Sequence, residues 1–155
     1  FYKPIHNQLM NDFLNQCRSS PLTELCPAQK ASRCFIKNRS KARVYGMIAD
    51  QHPVDTKEIQ WVNFLNQDTA TIMGPEQFAR AFDYPVLYIT GERPQRGFYD
   101  AHLTLLSDQP KETQPGEITT QFMKHLESDI IKSPENWLWS HRRWKLKRTE
   151  AETST

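Results

Sequence analysis

Asp50, Gln51 and His52 set a carboxylate, an amide and an imidazole in a row, a group able to hold a polar ligand. They follow an apolar run, Val44 to Ala49, that reads as a buried strand. In open α/β sheets, ligands gather at the loops leaving the carboxyl ends of such strands. The same residues with Pro53 also make an ordinary turn, since Asp and Pro are common turn formers. Two basic stretches are further candidates. Lys30, Arg33, Lys37, Arg39, Lys41 and Arg43 suit phosphate contacts or a solvated helix face. Arg142, Arg143, Lys145, Lys147 and Arg148 lie among Trp137, Leu138 and Trp144. That mixture either packs a last helix onto the domain or suits an anionic membrane surface. Nucleic-acid binding ranks third, because no RNA- or DNA-binding motif accompanies the charge.

Composition narrows the classes. A chain of 155 residues fits one domain. Its hydrophobic share of 37% and mean hydropathy of −0.73 imply a thin core, as for an incomplete domain. The net charge of +2 is too balanced to argue for a polyanionic partner. Three cysteines, Cys17, Cys26 and Cys34, form no Cys-x-x-Cys pair, so neither a disulfide framework nor a zinc site is expected and a reducing compartment is the natural reading. No apolar run approaches the roughly 20 residues of a bilayer span.

The elements that must position these residues alternate between helix and strand, which points to α/β. Ile5, Leu9, Met10, Phe13, Leu14 and Cys17 recur at helical steps and predict a helix from His6 to Arg18. Leu22 to Leu25 reads as a short strand. Ala28 to Lys41 reads as a helix with Ala31, Cys34 and Phe35 inward. A strand around Trp61 leads to a helix starting at Gly74-Pro75-Glu76, with Phe78, Ala79 and Phe82 on one face. Pro85 to Thr90 and Phe98 to Leu106 read as an antiparallel hairpin. Ile118 to Ile131 places Ile118, Phe122, Leu126 and Ile130 on one helical stripe. Ser133 as N-cap and Pro134 then predict a short final helix, and Thr149 to Thr155 a disordered tail.

Four segments in order carry a resemblance along nearly the whole chain: Phe1-Tyr2-Lys3-Pro4; Asp50-Gln51; Thr71-x-x-Gly74-Pro75-Glu76-x-x-Ala79-Arg80; and Pro134-Glu135-x-Trp137-Leu138-Trp139-x-His141-Arg142-Arg143-Trp144-Lys145. This pattern resembles the bacterial lipid A biosynthesis acyltransferases, the lauroyl/myristoyl acyltransferase family. Lys3 stands where that family usually has Arg, and Asn66 replaces a common Gly.

The resemblance implies a mixed sheet flanked by helices in the glycerolipid-acyltransferase arrangement. Residues 1–148 would be the C-terminal part of one acyltransferase domain. It implies transfer of a fatty acyl chain from acyl carrier protein to a lipid A precursor at the cytoplasmic face of the bacterial inner membrane, with no metal or bound cofactor. Such transfer needs a base and a group orienting it. In this family a His followed by four residues and an acid supplies both. No His here has that spacing, so the catalytic pair is expected upstream of Phe1 and the 155 residues are expected to be inactive alone. Lys3, Arg18, Asp50, Gln51, Thr71, Glu76 and Arg80 are the implied substrate contacts, and Arg142, Arg143 and Lys145 the membrane-facing ones. The alternative function is a non-catalytic binding module for anionic lipid or phosphosugar.

Overall fold

A computed structural model describes residues 1–54 and 58–148, and the chain separates into two compact units, Phe1–Ile48 and Ala49–Thr155. The expected tail at 149–155 lies outside the described residues.

In the first unit, α1 (Gln8–Arg18) starts where the Asn7 side chain accepts the Met10 N–H at 3.1 Å. Its apolar stripe is exposed, with Leu9, Met10 and Phe13 all open. A single turn of 3-10 helix at Ala28–Lys30 leads into α2 (Ala31–Asn38), whose Phe35 ring stacks with both Phe1 and Tyr45. Cys26 and Cys34 form a disulfide beside this stack, which corrects the expectation of unpaired thiols and with it the argument for a reducing compartment. No strand forms at Leu22 to Leu25; the local pairing is an isolated bridge between Tyr2 and Pro27.

The run Val44 to Ala49 is not a strand either. Val44 is 96% exposed, and residues 44–49 have no helix or strand state. An apolar run becomes a buried strand only where a neighbouring edge accepts it.

The second unit is built on α4 (Glu117–Lys132) and two antiparallel hairpins. The expected α/β composition is present, but a single mixed sheet flanked by helices is not. β1 (Ile59–Phe64) pairs with β2 (Gln67–Ile72) through a turn in which Leu65 and Asn66 have φ of 50° and 60°. Two consecutive left-handed residues make the turn that matches strand twist, and Asn is among the few side chains that tolerate it. Asn66 therefore performs the conformational task of the glycine it replaces. Glu127 of α4 accepts the Leu65 N–H at 2.6 Å and holds the less suited residue in place.

After β2, α3 (Gly74–Phe82) opens with Pro75 in its first turn and ends at Asp83 with φ 58°. The second hairpin is β3 (Val86–Gln95) with β4 (Phe98–Ser107), in a register that sets Leu87 opposite Leu105 and Ile89 opposite Leu103. Those four side chains share an exposed face, whereas Tyr88 and Leu106 turn inward.

α4 joins the two hairpins. Met123 and Ile130 pack on Phe64 of β1, Ile118 packs with Tyr88 and Leu106, and Phe122 and Leu126 touch both groups. Each such large apolar side chain contributes about 1.5–3 kcal/mol by leaving water. The helix start is tight: Gly116 has φ 86°, and a Cβ there would come within 2.7 Å of Gln60 Nε2.

The expected last helix is reduced to one 3-10 turn, Pro134–Asn136, and Ser133 makes no side-chain cap. Trp137 leaves that turn in an extended conformation. Trp137 and Trp144 then both pack on the Phe64 cluster, while Leu138 and Trp139 stay exposed. Tertiary burial of two indoles sets the path of this segment in place of helix propensity.

Candidate functional site

Of the residues nominated from sequence, Lys3 and Arg18 belong to the first unit, and both are exposed. Lys37 and Arg43 of the basic stretch are drawn to Glu24 at 3.1 and 2.8 Å, and the Lys37 ammonium leads the effects that lower the Glu24 pKa. Part of that stretch is therefore engaged within its own unit.

Asp50, Gln51, Thr71, Glu76 and Arg80 belong to the second unit, and the structure gives them different surroundings. Thr71 is 1% exposed and donates its hydroxyl to the Gln60 carbonyl at 2.8 Å across the first hairpin. Glu76 is 2% exposed and caps α4. Its Oε1 accepts the Gly116 N–H at 2.6 Å, and its Oε2 accepts the Thr119 N–H at 2.9 Å and hydroxyl at 2.6 Å. A carboxylate there meets the orphan amides and the positive end of the helix dipole. Arg80 follows one turn later with Nη1 3.9 Å from Glu76. In this arrangement Thr71 and Glu76 use their polar atoms inside the fold.

Asp50 is half-buried and Gln51 exposed. With no strand before it, Asp50 does not stand at a strand's carboxyl end. Its charge nevertheless acts on two buried groups that sequence reading did not connect to it. One is Tyr88, whose hydroxyl donates to Asp129 at 2.6 Å and whose ring stacks on His125 at 5.4 Å. Burial, then the Asp129 hydrogen bond and charge, with a smaller effect from Asp50, push the phenol well above its ordinary range. The other is Arg143. At 2% exposed it cannot face a membrane, which corrects its assignment as a membrane contact; Arg142 and Lys145 on either side of Trp144 and Arg143 remain exposed. Burial pulls the Arg143 guanidinium down to about 10, and the Asp50 charge opposes that pull.

The segment before β1 and the C-terminal segment also meet through two histidines. The His52 backbone N–H donates to His141 Nε2 at 3.2 Å, and His52 Nδ1 lies 3.1 Å from the same atom. Trp144 Nε1–H donates to Thr69 at 2.8 Å and ties the segment to β2.

A base for acyl transfer needs an acid to orient it. Among the described residues, the His–carboxylate approach is His102 to Glu92 at 4.0 Å, on the exposed side of the second hairpin. No group of three or more His, Cys, Asp and Glu able to hold a metal lies together among the described residues. A shallow recess of about 440 Å³ opens at the start of α4, lined by Gln60, Gly116, Thr120 and Lys124 among others, and none of the nominated residues lines it.

Residues 1–146 match the family model described as bacterial lipid A biosynthesis acyltransferase. The chain belongs to this family. The match spans both units and the whole set of segments from Phe1-Tyr2-Lys3-Pro4 to the Trp- and Arg-rich terminus. No curated protein matches the chain. No helix among the described residues is long and apolar enough to cross a membrane.

Proposed function

We propose that this lipid A biosynthesis acyltransferase chain supplies acceptor-side and membrane-facing parts of a transfer of a fatty acyl group from acyl carrier protein thioester to a lipid A precursor, at the cytoplasmic face of the inner membrane. Both units would belong to one acyltransferase domain, glycerolipid-acyltransferase-like when complete. The family match over residues 1–146 carries the reading.

The residues present fit a supporting role better than a complete catalytic one. Deprotonating a sugar hydroxyl needs an oriented base, and no His in the sequence precedes an acid by five positions. The base and its acid therefore come from outside these 155 residues. Asp50 and Gln51 are the acceptor contacts, with Lys3 and Arg18 holding phosphate or sugar oxygens. Thr71, Glu76 and Arg80 act by positioning: Glu76 fixes α4, and α4 carries the Asp129 that accepts the Tyr88 hydroxyl. Arg142 and Lys145 contact anionic lipid.

The alternative of a non-catalytic phosphosugar or anionic-lipid module draws on the buried Arg143 guanidinium. Acyl transfer by the complete protein separates the two readings: labelled acyl chain moves to the precursor for an enzyme and stays on the carrier for a module.

A further inference from the structure

Arg143 is 2% exposed, yet its Nε and Nη2 meet no hydrogen-bond partner among the described residues. These two nitrogens form the side-on edge of the guanidinium, the pair of parallel N–H donors that grips two oxygens of one carboxylate or phosphate. Buried polar groups in folded proteins are almost always satisfied, and a buried charge left unmet is among the costliest arrangements. Asp50 moderates the charge but makes no hydrogen bond to either nitrogen.

We propose that Arg143 is the inner contact of a binding site for a sugar phosphate, its Nε and Nη2 donating to two phosphoryl oxygens. The fork by itself suits any two-oxygen anion; the choice of a sugar phosphate rests on the acceptor proposed above. Exposed Arg142 and Lys145 draw the anion toward the site. The segment around Arg143 has no helix or strand, and Trp137 and Trp144 anchor it at either side on the Phe64 cluster. Ligand entry to the fork requires residues 138–143 to move, because Arg143 is buried as the chain stands.

The test follows the Arg143 Nε–H signal in proton–nitrogen spectra of the chain, assigned by its loss in Arg143→Lys. Glucosamine 1-phosphate is expected to move that signal saturably, glucosamine to leave it in place, and inorganic phosphate to bind more weakly. Arg143→Lys keeps a charge but loses the fork, and weakens glucosamine 1-phosphate binding by about tenfold or more. A stationary signal across the millimolar range of the sugar phosphate overturns the site. Equal affinity for inorganic phosphate overturns the sugar assignment. Should Arg143→Lys not fold, through-bond correlation from the Arg143 backbone assigns the Nε–H signal and the titration of the unaltered chain decides. Because the readout is binding, a chain that takes the sugar phosphate while the complete protein moves no acyl group keeps this inference and loses the proposed reaction, and the converse result does the opposite.

Discussion

Glu76 of α3 and Thr119 of α4 are joined twice, the carboxylate accepting both the Thr119 N–H at 2.9 Å and its hydroxyl at 2.6 Å. With the Gly116 N–H this makes three donors on one buried carboxylate, and it fixes the start of the helix on which both hairpins pack. Glu76→Ala is expected to cost about 2–4 kcal/mol, since it strands these donors in the interior. Chemical denaturation measures this. A loss below about 0.5 kcal/mol would mean that water replaces the carboxylate without penalty.

Tyr88 provides a pH-dependent signature. Its folded pKa lies above the ordinary phenol value, so the folded state keeps a proton that the unfolded state releases above about pH 10. The stability it contributes is complete below that pH and is lost as pH rises toward the folded value. Absorbance near 295 nm should show one phenol ionising later than the rest, absent in Tyr88→Phe. A single transition near pH 10 in both proteins would contradict the buried Asp129 pairing.

Much of the second unit was legible in the sequence because its signals are local. The Pro85 to Leu106 hairpin and the Ile118 to Ile131 stripe both appear, since strand alternation and helical spacing are written in consecutive residues. Long-range facts were not. Val44 to Ala49 has strand composition but forms no strand, and the segment after Pro134 is held by Trp137 and Trp144 on Phe64 and not by a helix. For the same reason Arg143 looked like part of an exposed basic cluster. No pattern in the sequence announces that Glu76 caps a helix forty residues away, or that the Tyr88 hydroxyl meets Asp129. Family segments located Asp50 and Arg143, while only coordinates reveal that the charge of one acts on the other.

Arg142 and Lys145 should carry the membrane contact without Arg143. Vesicles containing anionic lipid are expected to retain the chain at low salt and release it as the Debye length shrinks to about 8 Å near physiological ionic strength. Charge reversal of Arg142 and Lys145 together should abolish retention with little change in melting temperature. Equal retention by neutral vesicles, or by the reversed variant, would remove this surface from the account.

Asp50 should matter more to activity than to folding. In the complete protein, Asp50→Ala is expected to lower the acyl-transfer rate by about tenfold or more while shifting the melting temperature by no more than about 4 °C. A matched fall in both would make Asp50 a structural counter-charge for Arg143. An unchanged rate would leave it an ordinary turn residue.

The most direct measurement is transfer of a labelled acyl chain from acyl carrier protein to a lipid A precursor, run with the complete protein and with these 155 residues. Label appearing in the glycolipid with the complete protein, and staying at the no-protein level with the 155 residues, is the predicted result. Turnover by the 155 residues would contradict the proposal that the base lies outside them, and no transfer by the complete protein would contradict the proposed acyl-transfer function.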